Sequence, residues 1–176
     1  MSFLLRKISK SKWESNLDKQ PDDFSADAIT GCTRTNKNTL SVWKSTTANF
    51  ESDECKELVV AVATTMDRPD AIDLLWLEQD WLQEKGIAIV ETPGNSKYSA
   101  MNSRHRDLSN LNHRKLALVG EHIVSRLNSF GASKRVLRPE LIKLVAERYK
   151  KGGTFELGDL SPKWQEAVSK HIERTN

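Results

Sequence analysis

The sequence predicts an α+β fold, in which a small mixed β-sheet carries a buried helix and a C-terminal set of three amphipathic helices. Apolar residues dominate only between Asp53 and Gly94, and three stretches of helical periodicity lie in the C-terminal half. A length of 176 residues is enough for one hydrophobic core. We therefore expect a single domain over residues 1–176, with an irregular N-terminal part (1–50), an α/β core (51–94) and a basic helical part (107–176).

The first fifty residues contain two short segments that favour strands. Phe3–Ile8 is mostly apolar, and Thr39–Ser45 alternates residues that are common in strands, which predicts a hairpin or an edge strand. Between them, Pro21 and two aspartates start a helical turn that continues to Ala28, because acidic residues are favourable at a helix N-terminus.

The apolar core segment begins with a predicted helix. Ser52 is placed to cap it, and the apolar residues from Cys55 to Met66 recur at helical spacing. The run LVVAVA is also compatible with a central strand, but the length of the segment favours a helix.

Two buried strands are predicted after that helix, at Ile72–Leu77 and Ile87–Val90. A short helix that ends at Gly86 joins them. This connection is close to the shortest that a parallel crossover allows, so a βαβ unit and an antiparallel arrangement both stay open.

Three amphipathic helices are predicted in the C-terminal half. Apolar residues at helical spacing indicate the first, from about Ser109 to Asn128. Pro139 opens the second, and Ser161 with Pro162 forms the cap and first turn of the third.

The net charge of +3 conceals an asymmetry between the two halves. Residues 1–96 carry a net charge of −5, whereas residues 97–176 carry +8. This polarity indicates an anionic partner for the C-terminal part, either an acidic protein surface or nucleic acid. Attraction between the two halves, or charges on solvated helix faces, would explain the asymmetry equally well.

Composition and termini indicate an intracellular, cytoplasmic protein without a membrane partner. No apolar run approaches the ~18 residues that a membrane span requires, and the N-terminus lacks the charge order of a signal peptide. Two cysteines are too few for a typical disulfide framework, and no Cys/His spacing suggests zinc.

The polar segment from Asn95 to Asp107 is the best candidate for a binding site. It follows a predicted strand and leads towards a helix N-terminus, a position where backbone N–H groups favour anions. A solvated surface loop is the alternative interpretation. The side chains expected to bind an anion or partner here are Ser96, Lys97, Arg104, His105 and Arg106.

A second candidate surface lies on the first of the three amphipathic helices. Lys115, His122 and Arg126 share a face by spacing and would form a basic stripe opposite the buried face. Such a stripe would contact a phosphate backbone or an acidic protein, or would simply face water.

These features predict a non-catalytic binding or regulatory protein that needs no cofactor. The alternative is a small nuclease or another phosphodiester-processing enzyme. In one version His113 acts as general acid or base while Arg106 stabilises phosphoryl charge. In the other, Asp73 and Glu91 lie on adjacent strands and hold Mg²⁺. The sequence has no P-loop, Rossmann or GxSxG pattern.

Overall fold

Six strands form one antiparallel sheet with helices packed on both faces, which confirms the predicted α+β class. The computed structural model describes residues 2–33, 35–152 and 155–175. The order across the sheet is β4-β5-β2-β1-β3-β6. The strands are β1 (Phe3–Ile8), β2 (Leu40–Ser45), β3 (Ile72–Glu78), β4 (Ala88–Glu91), β5 (His105–Ser109) and β6 (Ser133–Val136). The helices are α1 (Lys10–Trp13), α2 (Ala26–Cys32), α3 (Asp53–Ala63), α4 (Gln79–Glu84), α5 (His113–Leu127), α6 (Arg138–Lys150) and α7 (Pro162–Thr175).

The N-terminal strand β1 lies at the centre of the sheet, between β2 and β3. Successive strand residues point to opposite faces. Leu4 and Leu5 are both completely buried, Leu4 under one layer of helices and Leu5 under the other. The consecutive apolar residues of β1 are thus explained by coverage on both faces.

Helices α3, α6 and α7 cover the face of the sheet to which Leu5 points. The predicted cap of α3 is confirmed, because Ser52 Oγ accepts a hydrogen bond of 3.1 Å from the Cys55 N–H. The helix is apolar on nearly all sides because it is buried between the sheet and α6.

Helices α1, α2 and α5 cover the opposite face. The close approach of α5 depends on Gly120, where an added Cβ would lie 3.1 Å from both the Trp13 ring and Ile29 Cδ1. The three predicted C-terminal helices therefore divide between the faces, α5 on one and α6 with α7 on the other.

Strand directions and edges differ from the sequence prediction. Every described strand pair is antiparallel, so the sheet is not mixed and no βαβ unit forms. β4 is an edge strand rather than a buried one, and Val90 is 44% exposed. The strand β5 begins inside the predicted polar loop, and β6 was not predicted.

Helix α5 begins at His113, after a short loop, and not at about Ser109 as predicted. Ser109 still belongs to β5, where it pairs with Ala88. Asn112 then caps α5, since its Oδ1 accepts a hydrogen bond of 3.0 Å from the Lys115 N–H.

Candidate functional site

The segment from Asn95 to Asp107 is held by its own hydrogen bonds. Ser96 is buried, its Oγ donates to Asn102 Oδ1 at 2.6 Å, and the Asn102 amide donates back to the Ser96 carbonyl at 3.1 Å. The Tyr98 hydroxyl donates to Glu57, and burial together with that bond raises the pKa of Tyr98 to about 12. Ser96 therefore has a structural role inside this segment.

Two of the predicted anion-binding arginines are paired within the protein. Arg104 lies 3.5 Å from Glu54, and Arg106 lies 3.1 Å from Glu91 on the neighbouring edge strand. Arg106 also donates to two backbone carbonyls, at 2.6 and 2.7 Å. Lys97 is exposed. The structure thus places Arg106 beside the edge strand β4 and Arg104 beside α3, and carboxylates already compensate both arginines.

His105 packs on the sheet. It is buried, and its ring meets the Trp43 ring edge-on at a centroid distance of 5.2 Å. Its Nδ1 lies 2.9 Å from Thr92 Oγ1. This environment favours a packing role for His105 over contact with a partner.

The prediction of a basic stripe on α5 is wrong, because His122 is only 2% exposed. Its Nε2 accepts a hydrogen bond of 2.9 Å from the Glu78 N–H, and its ring stacks on Trp81 at 4.2 Å. Burial and, secondarily, the charge of Arg126 lower the pKa of His122 to about 4. Arg126 itself lies 2.7 Å from the Glu78 carboxylate. Lys115 is half-buried near the start of α5.

Neither predicted catalytic pair is assembled. Asp73 is on β3 and Glu91 on β4, and three strands separate them, or roughly 19 Å at normal strand spacing. Asp73 is paired with Arg135 at 3.0 Å. His113 is exposed at the start of α5, and no described hydrogen bond joins it to Arg106. In the described ranges, no group of three or more Asp, Glu, His or Cys side chains could hold a metal ion.

A groove of about 710 Å³ lies between the start of α6 and the second half of α7. Its apolar lining comes from Pro139, Ile142 and Ala167. Along α7, three basic residues follow Ala167 at the i+3, i+4 and i+7 positions, so they share its face. The basic residues that line the groove are Arg138, Lys143, Lys170, His171 and Arg174.

The charge around this groove is mainly positive. Four Lys or Arg side chains line it, against Glu140 as the lone lining carboxylate in the described structure. Lys170 pairs with Glu166 at 2.5 Å, and this hydrogen bond lowers the pKa of the Glu166 carboxyl. Within the described residues, Arg138 and Arg174 make no ion pair. Lys143 pairs with Glu147 at 3.8 Å, so among the described groove residues the arginines Arg138 and Arg174 carry the positive charge that no ion pair compensates.

The α6 end of the groove adds two further features. Leu137, the residue that precedes the helix, is 55% exposed and provides no side-chain cap. Pro139 has no N–H, so Arg138 and Glu140 hold the first backbone N–H groups of α6, which lack a side-chain cap, and the positive end of the helix dipole adds to the charge of Arg138. Apolar and anionic groups would both find favourable contacts here.

Sequence analysis did not single out the groove residues. The spacing of Lys170, His171 and Arg174 from Ala167 was a usable signal, because it places three basic groups beside a small residue on one helical face. The sequence did not show that α6 would supply the facing wall.

Searches against protein-family models, curated proteins and solved structures found no match to this chain. No helix in the described ranges is long and apolar enough to cross a membrane. Fold and site together define an α+β protein with an open, apolar groove that basic side chains surround.

Proposed function

We propose that this is a non-catalytic, regulatory binding protein whose α6–α7 groove takes an acidic amphipathic segment of a partner protein. The observation that carries the proposal is the combination of an apolar floor with a mainly basic rim. Charge complementarity steers such partners and sets their orientation, while burial of apolar side chains supplies affinity. Both cysteines are free, which suits a reducing compartment such as the cytoplasm.

The apolar floor favours a protein segment over nucleic acid. Ile142 and Ala167 are carbon surfaces that phosphates would leave unused, whereas leucines on one face of a partner helix would cover them. Acidic residues flanking those leucines would reach Arg138, Lys170 and Arg174. A helix of about 16 residues is roughly 24 Å long and offers about four turns to the groove.

The polar segment 95–107 has no part in this proposal, since Arg104 and Arg106 are already paired and Lys97 lies outside the groove. The nuclease alternative has weaker support, because the strand order separates Asp73 from Glu91, and Arg106 pairs with Glu91 while no described hydrogen bond joins it to His113.

The test uses a fluorescent peptide of about 16 residues with Leu and Glu at i, i+3, i+4 spacing, measured by fluorescence polarisation. We expect saturable binding to the full chain, and much weaker binding of a scrambled peptide of the same composition. The triple variant Arg138→Glu, Lys170→Glu, Arg174→Glu should lose at least about tenfold in affinity, because like charges then face each other across the interface.

A matched control carries the same charge change elsewhere. Lys19, Lys97 and Arg114 are exposed, lie outside the groove, and should be replaceable by Glu with little loss of affinity. Equal losses in both triple variants would mean that net charge alone attracts the peptide, and would contradict the proposal. Tighter binding of a DNA duplex than of the peptide, with a steep fall in affinity as salt rises, would favour nucleic acid as the partner.

A further inference from the structure

A second, independent feature lies where the two central strands separate. β1 and β2 pair only between Phe3–Leu5 and Trp43–Ser45. Beyond that point β1 continues along β3, whereas β2 continues along β5. A cavity of about 290 Å³ occupies the resulting gap, lined by Cys32 of α2 on one face and Val62 of α3 on the other.

This inner cavity adjoins a larger polar cleft of about 800 Å³. Four residues line both spaces: Lys7, Ile8, Ser9 and Thr65. The two spaces therefore lie side by side at the end of β1, where we refer to them together as the recess, and none of their lining residues belongs to the α6–α7 groove. What binds here is therefore independent of the proposed partner site.

Arg6 lines the inner cavity and is only 8% exposed. It donates to the Ser41 carbonyl at 2.8 Å and to the Cys32 carbonyl at 2.9 Å. Its Nε is buried and has no hydrogen-bond partner in the described structure. A guanidinium has five N–H donors, so backbone carbonyls satisfy only part of this group, and no described carboxylate pairs with its charge.

The surrounding charges leave the recess positive. Of the outer basic groups, Arg68 pairs with Asp70, and Arg135 pairs with Asp73 at 3.0 Å. Lys7 and Lys163 also line the outer cleft, are exposed, and make no ion pair within the described ranges.

A buried cation without a counter-ion is unfavourable, and an anion that entered the cavity would be held by charge-assisted hydrogen bonds. The hydroxyl of Ser9 adds a neutral donor where the two spaces meet, whereas Thr65 Oγ1 already donates to the Val62 carbonyl at 2.7 Å. Asp67, on the outer wall, offers an acceptor for hydroxyl or amino groups of the same ligand.

We propose that this recess binds a small phosphate monoester, with its phosphate group beside Arg6 and its polar organic part in the outer cleft. The outer volume lies within the usual range of small-molecule sites, roughly 300–1,000 Å³. The organic part is a sugar or nucleoside, because the outer lining is rich in hydroxyl and charged groups.

Calorimetric titration of the full chain tests this with three probes: inorganic phosphate, glucose 6-phosphate and AMP, at constant ionic strength. We expect saturable binding of at least one monoester, tighter than that of inorganic phosphate. Arg6→Met should weaken it by about tenfold or more, since the buried charge-assisted bonds are lost.

A second variant keeps the test valid if Arg6→Met does not fold. Lys7 and Lys163 are exposed, so the double change to Met should leave the fold intact and weaken monoester binding several-fold. The matched control, Lys19→Met with Lys97→Met, removes the same charge outside the recess and should bind as the wild type does.

Cysteine alkylation gives a readout that needs no variant. Cys32 lines the inner cavity, so a saturating monoester should slow its reaction with iodoacetamide. Cys55 does not line the recess, and since it is completely buried its alkylation reports only on unfolding of the chain, which corrects the Cys32 rate for global stabilisation by the ligand. Absence of saturable binding by all three probes would overturn the proposal. So would binding that is unchanged in the Lys7/Lys163 variant, or a saturating ligand that leaves Cys32 unprotected.

Discussion

Replacement of His122 by Gln should make the free energy of unfolding less dependent on pH under acidic conditions. The Nε2 atom of His122 accepts the Glu78 N–H at 2.9 Å, so the buried ring is neutral in the folded protein. Protonation would remove this acceptor and place a charge next to Arg126. A Gln side chain has a carbonyl oxygen that accepts the same hydrogen bond, but it does not titrate.

The size of the effect follows from the pKa of His122. In the unfolded chain it is close to 6.5, and in the folded protein burial and then Arg126 lower it to about 4. Between these values the unfolded chain binds one more proton than the folded chain. The free energy of unfolding therefore falls by about 1.4 kcal/mol for each pH unit of acidification. The contribution of neutral His122 to the free energy of unfolding is fully present above pH 6.5, and about 3 kcal/mol of it is lost by pH 4.

Urea unfolding of the wild type and of His122→Gln at steps between pH 7 and pH 4 measures this difference. Carboxylates that titrate below about pH 5 act in both proteins, so the difference between the curves isolates His122. His113→Gln, a change at an exposed histidine, should follow the wild type. Parallel loss of stability in the wild type and His122→Gln would refute the neutral, buried state of this ring.

Two further predictions concern local packing, and urea unfolding measures both. Ser52→Ala should lower the free energy of unfolding by about 1 kcal/mol, because the Cys55 N–H loses its capping acceptor. Ser52→Asp should keep most of the wild-type stability, because its carboxylate accepts the same hydrogen bond. Gly120→Val should cost about 1–3 kcal/mol, since its Cβ would crowd the Trp13 ring at 3.1 Å. Gly158→Ala, with no atom within 4 Å of the added Cβ, is the matched control. An unchanged Gly120→Val midpoint would contradict the close approach of α5.

The elements that the sequence predicts well are those with strong local signals. Ser52 caps α3, Pro139 lies in the first turn of α6, and Pro162 begins α7. The apolar run of β3 also identifies it, because this strand is covered on both faces. In each case the residues that form the element are adjacent along the chain.

The strands that sequence analysis missed depend on partners far along the chain. β5 contains the single apolar residue Leu108, and its polar residues find tertiary partners: His105 packs on Trp43, and Arg106 pairs with Glu91. β6 is a short edge strand that pairs only with β3. Neither segment carries an alternation that distinguishes a strand from a polar loop.

The candidate site was predictable only as an excess of charge. The positive C-terminal half did indicate basic surfaces. The helical periodicity of α5 by itself, however, predicted a solvent-exposed His122, which the structure shows to be buried. Its burial comes from Trp81 on α4 and from the end of β3. The α6–α7 groove likewise needs the relative placement of two helices, which a helical spacing pattern does not contain.

The two buried nitrogen-rich side chains, His122 and Arg6, lead to opposite conclusions about function. His122 is neutral when buried, because its pKa is lowered, and its Nε2 accepts a hydrogen bond from the Glu78 N–H. Packing alone therefore explains why a histidine is buried at this position. Arg6 has no such route, because a guanidinium stays protonated in proteins and its Nε lacks a partner. The two carbonyls that Arg6 donates to, those of Ser41 and Cys32, use only part of its donor set and do not neutralise its charge. If a ligand supplies the counter-ion, as proposed above, its binding would stabilise the folded chain by mass action, and urea unfolding with and without the ligand would measure that gain.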